Sequence, residues 1–511
     1  MEVSMDLVTL GGENSLEQVV SVARYGAKVE FSEEYKKRVK ACREHVERFS
    51  REGKAIYGIT TGLGDNCRKF IPEEERVKIQ RNHILAHTVS VGEPLSEEGV
   101  RAMIFVMLLH FGSGHTGFRL ETLELLKELL NRNITPRVPK HGSVGYIGLE
   151  AHIGMVLIGE GKAWYEGNLL TGAEALRRAG LKPAVLGSKE GLTLVSGTTS
   201  VTALACLAYS DSIILAKTAD VAGAFSLEML KGTLKAMDER LMQARPHPGQ
   251  MQTAENIRNI LYGSQIAEKY RDYRVQDALS LRCMPQLHGA VKKVLKDGLE
   301  SIEIELNSSV DNPLIFEGEN GAEALMGCNA DGTYLGMASD FLCIALADMV
   351  KMAERRTDRL VNRHLSELPP FLNASADFND GLMMIQYTAA GLSGEMRLLA
   401  HPAVVDNVPT CANQEDYVNM GYNAARKACD AVETARYVLA IELICAAQAK
   451  EFYPAGQSSP AIEAVYGKIR EVMPCLKEDE ALEPYMEEVK RLILEGEILD
   501  VVRECGVLVE I

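Results

Sequence analysis

The chain has 511 residues, of which 46% are apolar, 25% charged and 6% aromatic. That composition excludes a disordered chain, a collagen and a small disulfide scaffold, and it supplies apolar side chains for a large core. With 55 basic and 71 acidic residues the formal charge is −16, which argues against a nucleic-acid footprint.

In chain order, short β-branched or glycine-rich pieces stand at 27–31, 53–64, 161–165 and 169–171, all in the first two hundred residues. Helical periodicity covers 97–109, 121–130, 201–231, 254–261, 335–365, 380–399, 422–449 and 485–494. Several of these are long enough to stack as an antiparallel bundle. The expected fold is mainly α: a mixed α/β part over 1–200 that carries active-site loops, then a long-helix bundle over 201–511. The most apolar stretches, from Val201 and from Leu335, are interrupted by Asp211, Lys217 and Asp220 and by Asp340 and Asp348. They read as buried helices of a soluble protein, with no membrane partner. Eleven cysteines without a C-x-x-C pair read as reduced thiols, and the opening residues lack the basic and apolar regions of a signal peptide, so a cytoplasmic protein is expected.

Several segments carry more Gly, Asn, Pro and His than packing needs. Tyr57-Gly-Ile-Thr-Thr-Gly-Leu-Gly64 describes either a connector or a loop able to approach a ligand closely. His83 and His87 are four apart and share a helix face. They lack the Glu of H-E-x-x-H and any third ligand, so no metal is expected. His141-Gly-Ser-Val-Gly145 matches no phosphate-loop pattern. Gln276 and Arg282 lie in Val275–Gln286, where an Arg can clamp a carboxylate or form a structural ion pair. Asn413-Gln-Glu-Asp416 is a polar run between apolar stretches.

Together these segments resemble the histidine/phenylalanine ammonia-lyase superfamily. The motifs run collinearly: YGITTGLG at Tyr57–Gly64, AHTVSVGEPLS at Ala86–Ser96, HGSVG at His141–Gly145 and AHIGMVLIGEG at Ala151–Gly161. RPHPGQ, VQDALSLRCMPQ, NSSVDNP, LAHPAVVDNVPT and NQED follow. The histidine branch matches best, through Glu415 and His87. The resemblance implies a mainly helical homotetramer with active sites shared among subunits and a small-molecule substrate.

One departure is conspicuous. The family pattern has Ala-Ser-Gly after GSVG, the tripeptide that cyclises to an electrophilic methylidene-imidazolone, and this chain is shorter by three residues there, running from Gly145 straight to Tyr146. Ser196 and Leu279 stand where the family has Asn and Tyr. Loss of the electrophile with its attendants suggests a substrate whose nitrogen needs no activation. The expectation is therefore an ergothionase-like carbon–nitrogen lyase with no cofactor, eliminating trimethylamine from ergothioneine to give thiourocanate. The alternative is a methylidene-imidazolone-dependent histidine ammonia-lyase giving urocanate, its cyclised tripeptide not spelled out in the sequence. Other betaine lyases and a non-enzymatic relative also stay open. The roles implied are Tyr57 as β-proton base, Arg282 on the carboxylate and Glu415 on the ring N–H. His87 would stand beside the ring with His83 as its neighbour, and Ser196 and Gln276 would complete the pocket. Asp331 and Tyr334 would face a substrate cation.

Overall fold

The computed structural model describes residues 5–319, 321–373 and 379–511. They form two units. Unit 1 runs up to Leu207 and also takes 299–339 and 403–426; unit 2 comprises 208–298, 340–402 and 427–511. Two segments expected with the helical part thus cluster with the N-terminal part. The fold is mainly helical, as the periodicity indicated. Helices Thr199–Met229, Met284–Leu306, Thr333–Val361 and Gly421–Lys450 each contribute residues to both units.

Unit 1 opens with parallel strands Leu7–Leu10 and Lys28–Phe31 joined by helix Leu16–Arg24. Helix Glu33–Glu52 follows. Ser32 caps its first turn by accepting from Tyr35 N at 3.1 Å, and Gly53, at φ +68°, ends it in the left-handed conformation. Its buried Tyr35, Val39, Cys42, Val46 and Phe49 recur every three or four residues. Cys42, Val46 and Phe49 close over Ile59 and Ile315, anchoring the loop that follows the helix. Helix Glu97–Phe111 packs on Leu16–Arg24, where the buried Arg101 guanidinium donates to Val22 O at 2.8 Å and, at 3.2 Å, to Ala23 O. Strands Thr135–Pro136, Lys162–Tyr165 and Asn168–Thr171 make one small antiparallel sheet, and Leu314–Gly318 pairs with Gly321–Leu325 in a hairpin.

Unit 2 is helical among its described residues and is organised by buried charge. Arg356 and Glu442 are fully buried and paired in bidentate fashion, and Ser226 Oγ donates to Glu442 at 2.6 Å. A second node holds Asp220 between His288, Lys292 and Asn256. Lys292 and Asn256 also donate to Glu510 O at 2.9 and 2.7 Å, tying down the C-terminal residues.

Two helices, Thr199–Met229 and Thr333–Val361, are long and apolar enough to cross a membrane by length and composition. In the first, 89% of the most apolar window is buried, as a core helix requires; in the second, 56% is, and Met337, Phe341 and Ile344 are exposed.

Two outcomes follow from this burial. Glu442→Ala strands the Arg356 guanidinium without its partner, and denaturant titration at fixed protein concentration should show a loss of about 3–5 kcal/mol. In unit 1, burial holds His83, His110 and His152 down at about 4, against an ordinary 6.5. They stay neutral in the folded chain where the unfolded chain would protonate them. Unfolding then takes up protons, so this stability is present above pH 6.5 and is lost as pH falls toward 4. Denaturation midpoints at pH 7 and pH 5 should show the decline.

Candidate active site

Five loops of unit 1, together with Leu192 and Ser196, surround a cavity of about 460 Å³, a volume suited to a small-molecule ligand. The first loop is Ile56–Gly64. Gly58 is at φ +67°, and a Cβ there would lie 2.2 Å from the Leu192 side chain, so glycine lets the loop settle on the helix Glu190–Thr193. The loop folds back on itself: Tyr57 Oη accepts from Gly64 N at 3.0 Å, which fixes the phenol at the cavity wall. Burial pushes Tyr57 above its ordinary value and Glu415 adds to the rise, while the Gly64 N–H opposes it.

The second is the turn Gly142–Gly148, at the point where the family has its tripeptide. Gly145 is at φ +107°, and a Cβ on it would stand 2.0 Å from Asn419 Oδ1. Ser143 Oγ spans the turn, accepting from Gly145 N at 3.1 Å and donating to Ile147 O at 2.9 Å. Gly197 N donates to Tyr146 O at 3.1 Å and Ile147 bridges Ser196, so the shortened turn is stitched to the segment bearing Ser196. The Tyr146 ring lines the cavity, and its hydroxyl donates to Asp331 Oδ2 at 2.9 Å. Burial first, and then this bond, push the Tyr146 phenol far above its ordinary value, so it stays a neutral donor.

The third and fourth walls are Asn312 and Met326–Ala330. Burial raises the Cys328 thiol. The fifth is 410–417. Cys411, Ala412 and Asn413 all have positive φ, a strained run locked by Thr410. Thr410 N donates to Glu415 O and Thr410 Oγ1 to Glu415 Oε2, both at 2.8 Å, which aims the carboxylate.

Of the residues expected at the site, Tyr57, Glu415 and Ser196 share the cavity wall. Asp331 stands behind Tyr146. His83 and His87 lie on helix Arg76–His87 and are not in the cavity lining: His87 Nδ1 engages His83 O at 2.7 Å, and His83 Nε2 is buried without a hydrogen-bond partner. Tyr334 is 78% exposed on helix Thr333–Val361, outside the lining. Gln276 and Arg282 belong to unit 2, where Arg282 Nε donates to Asp277 O at 3.0 Å. Neither Tyr146 nor Asn419 is assigned a role by the motifs. Tyr146 carried a usable signal, being the aromatic residue set at the length change. Asn419 carried none, because its role is to fit a glycine from another segment.

The sequence matches the aromatic amino acid lyase family over residues 15–471. The chain belongs to this family. It is 44% identical to the histidine ammonia-lyase of Symbiobacterium thermophilum, covering 97% of this chain and 98% of that one. Other bacterial histidine ammonia-lyases match at 40–42%. Among solved structures, the Trypanosoma cruzi histidine ammonia-lyase superposes with a TM-score of 0.91 at 33% identity, covering 98% of this chain and 95% of that one. Ergothionase from Treponema denticola gives 0.90 at 29%, covering 97% and 100%. The protein is thus a carbon–nitrogen lyase of this family.

These relatives overturn the expected electrophile-free elimination of trimethylamine from ergothioneine, since the near relatives are histidine ammonia-lyases while ergothionase is a more distant likeness. The physical reason is that a length change in one turn reports the path of that turn. It does not report the leaving group on a substrate whose contacts come from many segments. The lyase-family electrophile, for its part, needs Ala-Ser-Gly. Here Gly145 is followed by Tyr-Ile-Gly-Leu-Glu-Ala, with Tyr146 and Ile147 bonded to the Ser196–Gly197 segment, but the histidine ammonia-lyase relatives do not bear out the expected loss of the electrophile.

Gly145→Ala should be severely disruptive, since both φ and Asn419 oppose a side chain. A loss of about 1–3 kcal/mol is expected from the backbone alone, read as a lowered denaturation midpoint with the turn's contacts broken.

Proposed function

We propose that the protein removes ammonia from L-histidine to give urocanate. The observation that carries this reading is the near-full-length identity of 40–44% to histidine ammonia-lyases. The cavity suits such a substrate. Its lining includes the carboxylates Glu415 and Asp416 and, among the described residues, no lysine or arginine, so it favours a ligand with cationic groups.

The reaction takes a proton from the β-carbon, forms the Cα–Cβ double bond and releases the nitrogen with the former C–N electron pair. Tyr57 is the group we assign to the proton. Its oxygen already accepts the Gly64 N–H, a bond that stabilises the phenolate, and a substrate cation nearby lowers the phenol further against the cost of burial. Glu415, held by Thr410, would accept the imidazole N–H and steady the ring as charge develops at the β-carbon. Ser196 shapes the wall beside the ring, and we keep His83 and His87 as neighbours of that wall. Gln276 and Arg282 would reach the substrate carboxylate from another copy of the chain, in the homotetramer that the family resemblance implies. We also infer a reducing cytoplasmic setting for the eleven thiols.

Incubation with L-histidine should release urocanate, followed by its ultraviolet absorbance, together with equimolar ammonia. Tyr57→Phe should lower kcat by about 10²–10⁴-fold. Absence of urocanate from the folded protein would overturn the reading, and a Tyr57→Phe variant at full rate would remove Tyr57 from it.

A further inference from the structure

Two cysteines meet beside the phenol of Tyr57. Cys67 is half-buried and lines the cavity from the 3-10 helix Gly64–Arg68. Cys411 is exposed, in the strained turn Cys411–Asn413 that leads to Glu415. A Cβ on Gly64 would run into Cys411 Sγ, so that sulfur rests on the bare side of Gly64. Side chains three apart in a 3-10 helix eclipse, which sets Cys67 over the same side, about 6 Å along the axis. Both thiols are close enough to Tyr57 for their charge to bear on its phenol. The Gly64 N–H is also the donor that holds Tyr57 Oη. Gly62 N donates to Lys69 O at 3.0 Å and closes 62–69 into a compact loop, so a pull on Cys67 is carried to Gly64 and on to Tyr57. The other thiols of unit 1 are placed differently. Cys42 and Cys206 are buried, which pushes Cys42 up to about 11 and Cys206 further, and Cys328 is engaged with Tyr146. Reaction with an oxidant needs an accessible thiol, which Cys411 offers and Cys42 and Cys206 do not.

We propose that Cys67 and Cys411 are a modification site for hydroperoxides: oxidation joins them in a disulfide that ties the Tyr57 loop to the Glu415 loop and stops turnover. The exposed Cys411 sulfur attacks one peroxide oxygen and the O–O bond breaks. The departing oxygen takes the thiol proton and leaves as water (or as an alcohol from an organic hydroperoxide), and Cys411 becomes a sulfenic acid. Cys67 Sγ then attacks that sulfur. The S–S bond forms, the S–O bond breaks, and the hydroxyl leaves as water with the Cys67 proton. The two thiols together give up two electrons, and these reduce the one peroxide. Closing the bond draws the two segments together across Gly64 and moves its N–H away from Tyr57 Oη. A dithiol reductant reverses the change, and in a reducing cytoplasm such a bond is transient and serves as a sensor. The loss of turnover rests on the histidine reading above with Tyr57 as base; the thiol pair rests on the geometry alone.

The test is peptide mapping together with turnover, on the full chain. The reduced protein is treated with hydrogen peroxide, the remaining thiols are alkylated, and the digest is read by mass spectrometry. A peptide joining Cys67 to Cys411 should appear, and it should vanish on treatment with dithiothreitol. In step with it, urocanate formation from L-histidine should fall by about 10²-fold, the low end of what a positioned proton base contributes, and recover with the reductant. Cys411→Ser, treated in the same way, should give no such peptide and keep its own untreated rate. Absence of the Cys67–Cys411 peptide, or pairing of either cysteine with another thiol, overturns the proposal. So does a complete crosslink with undiminished turnover, or a Cys411→Ser variant that peroxide inactivates as it does the parent. Reduced protein that does not turn over L-histidine overturns the histidine reading instead, and the crosslinked peptide still decides for or against the thiol pair.

Discussion

Much of unit 1's chemistry depends on one buried amide. Asn419 receives the bare face of Gly145, donates to Asp331, and accepts from Gly421 N. The next residue reinforces the contact, with Met420 N donating to Val144 O at 3.0 Å. Three segments that are far apart in the sequence are thereby held in one arrangement. Remove the amide and Gly145 loses its reason to be glycine, Asp331 loses a donor, and the Tyr146 hydroxyl loses its fixed partner. Such a fully engaged polar node is costly to leave partly satisfied, which is why it specifies a single geometry.

The remainder of the cavity follows the same logic of short side chains and backbone groups fixing longer ones. Gly64 N fixes Tyr57, and Thr410 fixes Glu415. The strained residues Cys411, Ala412 and Asn413 sit beside the carboxylate they help to aim. Packing steadies the neighbouring loop as well, with Ile59 seated on the Cys42–Val46–Phe49 face.

Much of this was legible before any coordinates. The helices 97–109, 121–130 and 422–449 were visible because apolar periodicity survives in local sequence, and the structure extends each by only one or two residues at an end. Helix Glu33–Glu52 is masked by charged residues that leave only a narrow apolar stripe, and Met284–Leu306 by Pro285 and Gly289, which weaken the helical signal in its first turns. At the site, Tyr57 and Glu415 could be named from their motifs and share the cavity wall. Asn419 could not, since a residue that fits a glycine in another segment leaves no local pattern. The substrate was misjudged in its leaving group for a related reason: a turn's length is local, whereas specificity is distributed over loops separated by hundreds of residues.

That separation has a consequence for biosynthesis. The cavity wall runs from Tyr57 through Tyr146, Ser196 and Asn312 to Tyr417. A growing chain emerging from the ribosome can form the parallel strands and early helices of unit 1 from their own local contacts, but no binding wall exists until its last fifth is being made. Ligand therefore cannot chaperone the early stages of folding. It can only reward a chain that has already brought Asn419 home to Gly145.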